Sequence, residues 1–227
     1  MKTKQLLILT FLLGLNAAVF SQVTSYNYDP DKVNVELANK MDSLYHEDQK
    51  DRLEVTKLIN EGASKESLDS IRIIIKEKDS ANLAFVERII DKYGWLAPQD
   101  IGFQGAQTLF LVIQHADLKT QKKYYPLILK AEKEGNILSS NVAILEDRID
   151  VREGRPQTYG SQGYYDSQKK KSFIYPLVNV KRLDKLRKSR GLGPMKEYQK
   201  DWNITDYESY LPYTNELLRR LKEANQD

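Results

Sequence analysis

The chain has 227 residues, with 35 Lys and Arg against 32 Asp and Glu, two histidines and no cysteine. That length supports one or two domains with a sizeable core, and ordinary apolar content with charges of both signs describes a soluble globular protein. The lack of cysteine excludes disulfides, thiolate metal sites, a Cys nucleophile and a lipid-modified Cys, and two histidines leave little for a multi-histidine metal centre.

Residues 1–21, MKTKQLLILTFLLGLNAAVFS, read as a secretory signal peptide. Lys2 and Lys4 form the positive start, an apolar run follows, and Val19 and Ser21 are small enough for the −3 and −1 positions of a cleavage site. The run is short for a bilayer span, which needs about 20 apolar residues. The expectation is therefore an exported protein, periplasmic or secreted, whose mature chain begins at Gln22 and carries no transmembrane span. Without Lys2 and Lys4 the charge balance is close to neutral, so the basic pI is only a weak argument for nucleic acid, and the export signal argues against that partner.

Residues 22–31 are polar and read as a flexible lead-in. From Lys32, Val33, Leu37, Met41, Leu44 and Tyr45 fall at helical spacing, and the pattern runs on to about Asn60, with Gly62 ending it. Within this helix Asp48 and Arg52 share a face, with Gln49 beside them. Alone, that pair reads as an exposed ion pair worth about 0.3–0.5 kcal/mol. Ser64 caps a second helix, and Asp79 or Ser80 is expected to cap a third that Gly94 stops. Gly102–Ala116 is an apolar helix with His115 at its C-terminal end. Asp117 caps the next, over 118–134, with a kink or break near Tyr124 because Pro126 lies inside it. Ser139 or Ser140 opens a helix through Val151, with Val142, Leu145 and Ile149 inward and Asp147 and Arg148 pointing elsewhere.

After Gly154 the texture changes. Gln157 to Gly163 is polar and turn-forming, and 172–180 is β-prone but holds Pro176, which suits a short edge strand. Residues 181–190 form a basic helix, 191–209 read as mainly irregular, and 211–224 as an amphipathic helix. The fold class is thus mainly α: one helical domain over 32–200, with an irregular, β-prone segment near 157–180 and a C-terminal extension over 201–227.

No cofactor or catalytic signature is present, so cofactors are left unassigned. His46, His115 and a carboxylate could ligate a metal, but the usual spacings are absent and no metal ligands are assigned. Tyr159-Gly160-Ser161-Gln162-Gly163 has no preceding strand to make it a nucleophile elbow. General acid/base chemistry remains open: His115 with Asp147 orienting it, and Arg148 or Tyr159 steadying negative charge. A structural role explains the same residues without catalysis, and the residues alone favour it: a helix-end His bonded to a carbonyl and an Asp-Arg pair pinning the loop after Gly154.

One combination of motifs goes further. Asp48-Gln49-x-x-Arg52, Asn82, Tyr93-Gly94-Trp95, Gln114-His115-Ala116-Asp117 with Gln121, Leu145-Glu146-Asp147-Arg148-Ile149, and Gly154-x-Pro156-Gln157-x-Tyr159-Gly160-Ser161-Gln162 follow one another in order. The combination, with Arg190-Gly191-Leu192 and Tyr198, resembles a bacterial domain-of-unknown-function family over about residues 35–200. That family's last motif usually ends Tyr-Gly-Thr-Gln, and Ser161 keeps the hydroxyl. His46 matches no motif position. The resemblance names no reaction. It implies that Asp48, Gln49, Arg52, His115, Asp147, Arg148, Gln157, Tyr159 and Gln162 meet in one place, with Ser161 a further ligand-binding candidate. The expected function is a binding or structural module for a small polar or anionic ligand. The alternative is a hydrolase or lyase with His115 as general acid/base, assisted by Asp147 and Arg148.

Overall fold

The computed structural model describes residues 22–26, 29–166 and 168–224. The leader reading falls on residues 1–21, outside the described residues. The fold is mainly α, with α1 Val35–Asn60, α2 Lys65–Tyr93, α3 Pro98–His115, α4 Leu118–Lys133, α5 Ser139–Arg152, α6 Leu183–Lys188, α7 Met195–Tyr198 and α8 Ile204–Ala224. An antiparallel hairpin, β1 Gly163–Asp166 and β2 Lys171–Ile174, completes it. No helix among the described residues is long and apolar enough to cross a membrane.

Helix α3 is the axis. Leu109, Phe110, Val112 and Ile113 are buried on several of its sides, and Met41 of α1, Val86 and Ile90 of α2, Ile128 of α4 and Leu145 of α5 close around them. An apolar surface on every side requires this all-round cover. A second apolar cluster joins Phe173 and Ile174 of β2 to Leu183, Met195, and Tyr207 and Tyr210 of α8. The Tyr207 and Tyr210 hydroxyls accept hydrogen bonds from the Leu177 and Ile174 N–H groups.

Several boundaries differ from the sequence reading. The first helix starts at Val35, not near Lys32, because Asn34 caps it by accepting from the Leu37 N–H at 3.0 Å. The two helices expected over 64–93 are one. No Gly or Pro interrupts Lys65–Tyr93, and Asp79 does not cap because its carboxylate turns to Arg52. Helix α4 runs unbroken through Pro126, which sits on its exposed face. There the unpaired carbonyl one turn back can be hydrated. The stretch 191–209 is not mainly irregular: it holds α7 and the first turn of α8, which Asn203 caps through the Thr205 N–H. The start of the presumed lead-in is tied down, with Val23 and Ser139 exchanging two hydrogen bonds.

Gly154 ends α5 with φ +76°, and a Cβ there would lie 2.5 Å from Lys222 Cβ of α8. Backbone strain and overpacking together make Gly154→Ala cost about 2–4 kcal/mol. A thermal melt should show this, and an unchanged melting temperature would mean α8 does not pack there.

Candidate functional site

The site begins where α3 ends. A helix leaves its last carbonyls unbonded and carries about −0.5 charge at that end. Two arginines one turn apart on α5 answer this. Arg148 Nη1 donates to the Gln114 carbonyl at 3.0 Å, and Arg152 Nη1 donates to the Ala116 carbonyl. Gln121 of α4 also donates to the Gln114 carbonyl, at 2.7 Å. The His115 side chain, 13% exposed, therefore sits among cations rather than in bulk water.

Asp48 of α1 takes the imidazole. His115 Nδ1 lies 3.2 Å from Asp48 Oδ1. The same carboxylate accepts from Gln49 Nε2 at 2.7 Å and from Arg52 Nε and Nη2, and Arg52 Nη2 also reaches Asp79 of α2. Burial would raise the Asp48 carboxyl, but the His115 and Arg52 hydrogen bonds and charges outweigh it and hold it well below the usual carboxylate range. The exposed ion pair expected of Asp48 and Arg52 is thus a buried hub. Burial, opposed by Asp48 and aided by the Arg52 and Arg148 charges, lowers the His115 pKa. The ring is then neutral near pH 7 with its proton on Nδ1 facing Asp48. Its Nε2 lone pair has no partner among the described residues.

Arg148 completes the site. Its Nε donates to Gln162 Oε1 at 2.9 Å. Burial, then the Arg152 and Arg52 charges, push its pKa down to about 10, with the Tyr198 phenol opposing. No carboxylate pairs with it among the described residues. The half-charge at the end of α3 is shared by two guanidiniums, so positive charge is left over.

The other predicted residues build the loop that carries Gln162. Asp147 is fully buried and accepts from the backbone N–H groups of Thr158 at 2.7 Å, Tyr159 at 2.9 Å and Ser161 at 2.9 Å. Burial lifts its carboxyl above the usual range, and these donors offset only part of the rise. Gln157, also fully buried, pairs its amide with both backbone groups of Gln162, as a neighbouring strand would. Ser161 Oγ meets Gln162 Nε2, and the Tyr198 hydroxyl donates to the Ser161 carbonyl. Asp147 therefore does not orient His115; Asp48 does. Tyr159 does not reach His115 either. Its ring lies beside Arg190 and its hydroxyl against Glu146, where burial and that carboxylate push it up to about 12. Glu146 also lines a separate cavity of about 290 Å³ with Leu129, Glu132 and Arg190.

The structure thus brings Asp48, Gln49, Arg52, His115, Arg148 and Gln162 together, and places Asp147, Gln157, Tyr159 and Ser161 behind them. The chain belongs to the family of unknown function DUF6624, whose model matches residues 30–206. No curated protein and no solved structure matches the chain.

Two contributors were missed in the sequence. Arg152 was legible, being one turn from Arg148. Asp79 was not, since its pairing with Arg52 depends on how α1 and α2 align. His46, the other histidine, is exposed and faces Asp42 on its own helix. Asp48, Asp79 and His115 offer three possible metal ligand atoms within 4.8 Å of one another. Arg52 Nη2 already bridges the two carboxylates, so a cation would have to displace a guanidinium.

Proposed function

We propose that the protein is exported and binds a small anion between Arg148 and His115. The supporting observation is the charge inventory. Among the described residues, Asp48 and Asp79 are engaged by Arg52 and Asp147 by loop N–H groups, while Arg148 has only neutral acceptors. Burying a cation without an anion costs several kcal/mol, and a ligand carboxylate or phosphate removes that cost. Neutral His115 would accept a hydrogen bond from a hydroxyl or protonated oxygen on the same ligand. Export rests on residues 1–21, and is tested by whether the mature protein in cell fractions starts at Gln22.

The binding test is calorimetry with phosphate, acetate, lactate and citrate on the mature chain. Arg148→Met keeps the side-chain volume and removes the charge. It should leave the free protein as stable as wild type or more so, and weaken anion binding by about 2–5 kcal/mol. Equal affinity in wild type and variant would defeat the proposal.

A second reading has its own observation. Asp48 fixing Nδ1 and leaving Nε2 bare is the arrangement a general base needs. In a hydrolase or lyase His115 would take a proton through Nε2, and Arg148 would steady the negative charge that forms. Turnover of hydroxy-acid or phosphate-ester substrates that His115→Asn abolishes, with anion affinity kept, would favour it.

A further inference from the structure

Tyr198, the last residue of α7, is joined to the anion site by a short chain of contacts. Its hydroxyl donates to the Ser161 carbonyl at 2.9 Å. The Ser161 Oγ accepts from Gln162 Nε2 at 3.0 Å, and Gln162 Oε1 accepts from Arg148 Nε at 2.9 Å. Two successive residues of one loop thus hold the ring and the guanidinium. Burial raises the pKa of the Tyr198 hydroxyl, and the Arg187 and Arg148 charges oppose that rise, so both cations act on it.

The ring is pinned from behind. The Arg187 guanidinium lies over it, 5.1 Å from its centre. Arg187 is itself buried, and donates to the carbonyls of Gly193 at 2.6 Å and Tyr159 at 2.7 Å. Met195, at the start of α7, is fully buried and gives its N–H to Asp184. Yet Tyr198 is 56% exposed, so the pinned ring presents apolar surface to solvent. An aromatic ring already fixed in place loses little entropy when a ligand covers it.

The charge around it favours an anion. Among the described residues Arg148 and Arg187 donate to neutral acceptors and have no carboxylate at ion-pair distance. Glu197, the residue before Tyr198, lies against Gly193, where a Cβ would be 3.0 Å from its Oε2. A guanidinium over one face of a phenol draws on its π-electrons, and the other face then suits an electron-rich ring.

We propose that the ligand is an aromatic anion. Its phosphate or carboxylate is held at Arg148 and His115, and its ring stacks on the open side of Tyr198. The inference rests on the anion site proposed above and goes beyond it, since a small anion alone would leave Tyr198 uncovered.

The test is calorimetry on the mature chain, at one pH, with methyl, cyclohexyl and phenyl phosphate. Phenyl phosphate should bind about tenfold or more tighter than methyl phosphate, the gain expected of one stacked ring. In Tyr198→Leu the ratio of the two affinities should fall to about one. In Tyr198→Phe, which keeps the ring and gives up the hydroxyl, it should stay near the wild-type value. Equal affinities for methyl and phenyl phosphate in wild type, both lost in Arg148→Met, overturn the stacked ring and keep the anion site. A ratio that survives Tyr198→Leu, or that Tyr198→Phe abolishes as well, also overturns stacking on this residue. Cyclohexyl phosphate binding as tightly as phenyl phosphate overturns the aromatic assignment. No binding of any of the three in wild type overturns both proposals.

Discussion

Asp147→Ala is expected to remove about 3–5 kcal/mol of stability, among the largest effects of any single substitution in this chain. The reason is what the carboxylate leaves behind. Three backbone N–H groups, from Thr158, Tyr159 and Ser161, converge on it inside the protein. A buried donor without an acceptor costs about 1–3 kcal/mol, and the methyl of alanine replaces none of the bonds. For a chain of this size, the melting temperature should fall by about 10 °C. Asp147→Asn should be milder, keeping one acceptor but turning an amide N–H toward backbone donors. The loop also holds Gln162 against Arg148, so anion affinity should fall in parallel. Urea unfolding gives the measurement. A loss below about 1 kcal/mol would mean the loop holds itself in place without the carboxylate.

Asp48→Ala should cost about 2–4 kcal/mol. It removes the acceptor for His115 Nδ1 and Gln49 Nε2 and half of the acceptors of Arg52, which keeps Asp79. Asp48→Asn adds a pH signature. The folded-state pKa of Asp48 is depressed, so its contribution is fully present above the unfolded value near 4 and is lost as pH falls toward the folded one. Below pH 4 the wild-type advantage over Asp48→Asn should shrink by about 1.4 kcal/mol per pH unit. Denaturation at several pH values between 2 and 7 would show it. A gap that stays constant across that range would mean Asp48 is not the charged hub of the site.

The two results also separate two kinds of polar residue that look alike in the sequence. Asp147 and Gln157 are saturated by backbone groups, whereas among the described residues His115 Nε2 and the Arg148 charge are left over. Adjacent letters in one motif, Asp147 and Arg148 point to different tasks because successive residues on a helix are turned by about 100°.

Much of the architecture could be read from spacing alone. The apolar run after Gly102 made α3 the central helix and put His115 at its end, and the spacing of Asp48 and Arg52 put them on one face of α1. Helix stops at Gly62, Gly94 and Gly154 followed from the left-handed backbone that glycine adopts, and all three have φ between 72° and 76°. These are short-range properties, decided by neighbours within a few turns.

What the letters could not show depends on contacts between distant segments. Asp79 read as a helix cap and became the partner of Arg52, 27 residues away. Asp147 was expected to serve His115, but that place belongs to Asp48, 67 residues before it. A carboxylate has no intrinsic preference among a cap, a loop and an imidazole. The choice is made by which of them the packed helices bring within about 3 Å, and only the tertiary structure sets that distance.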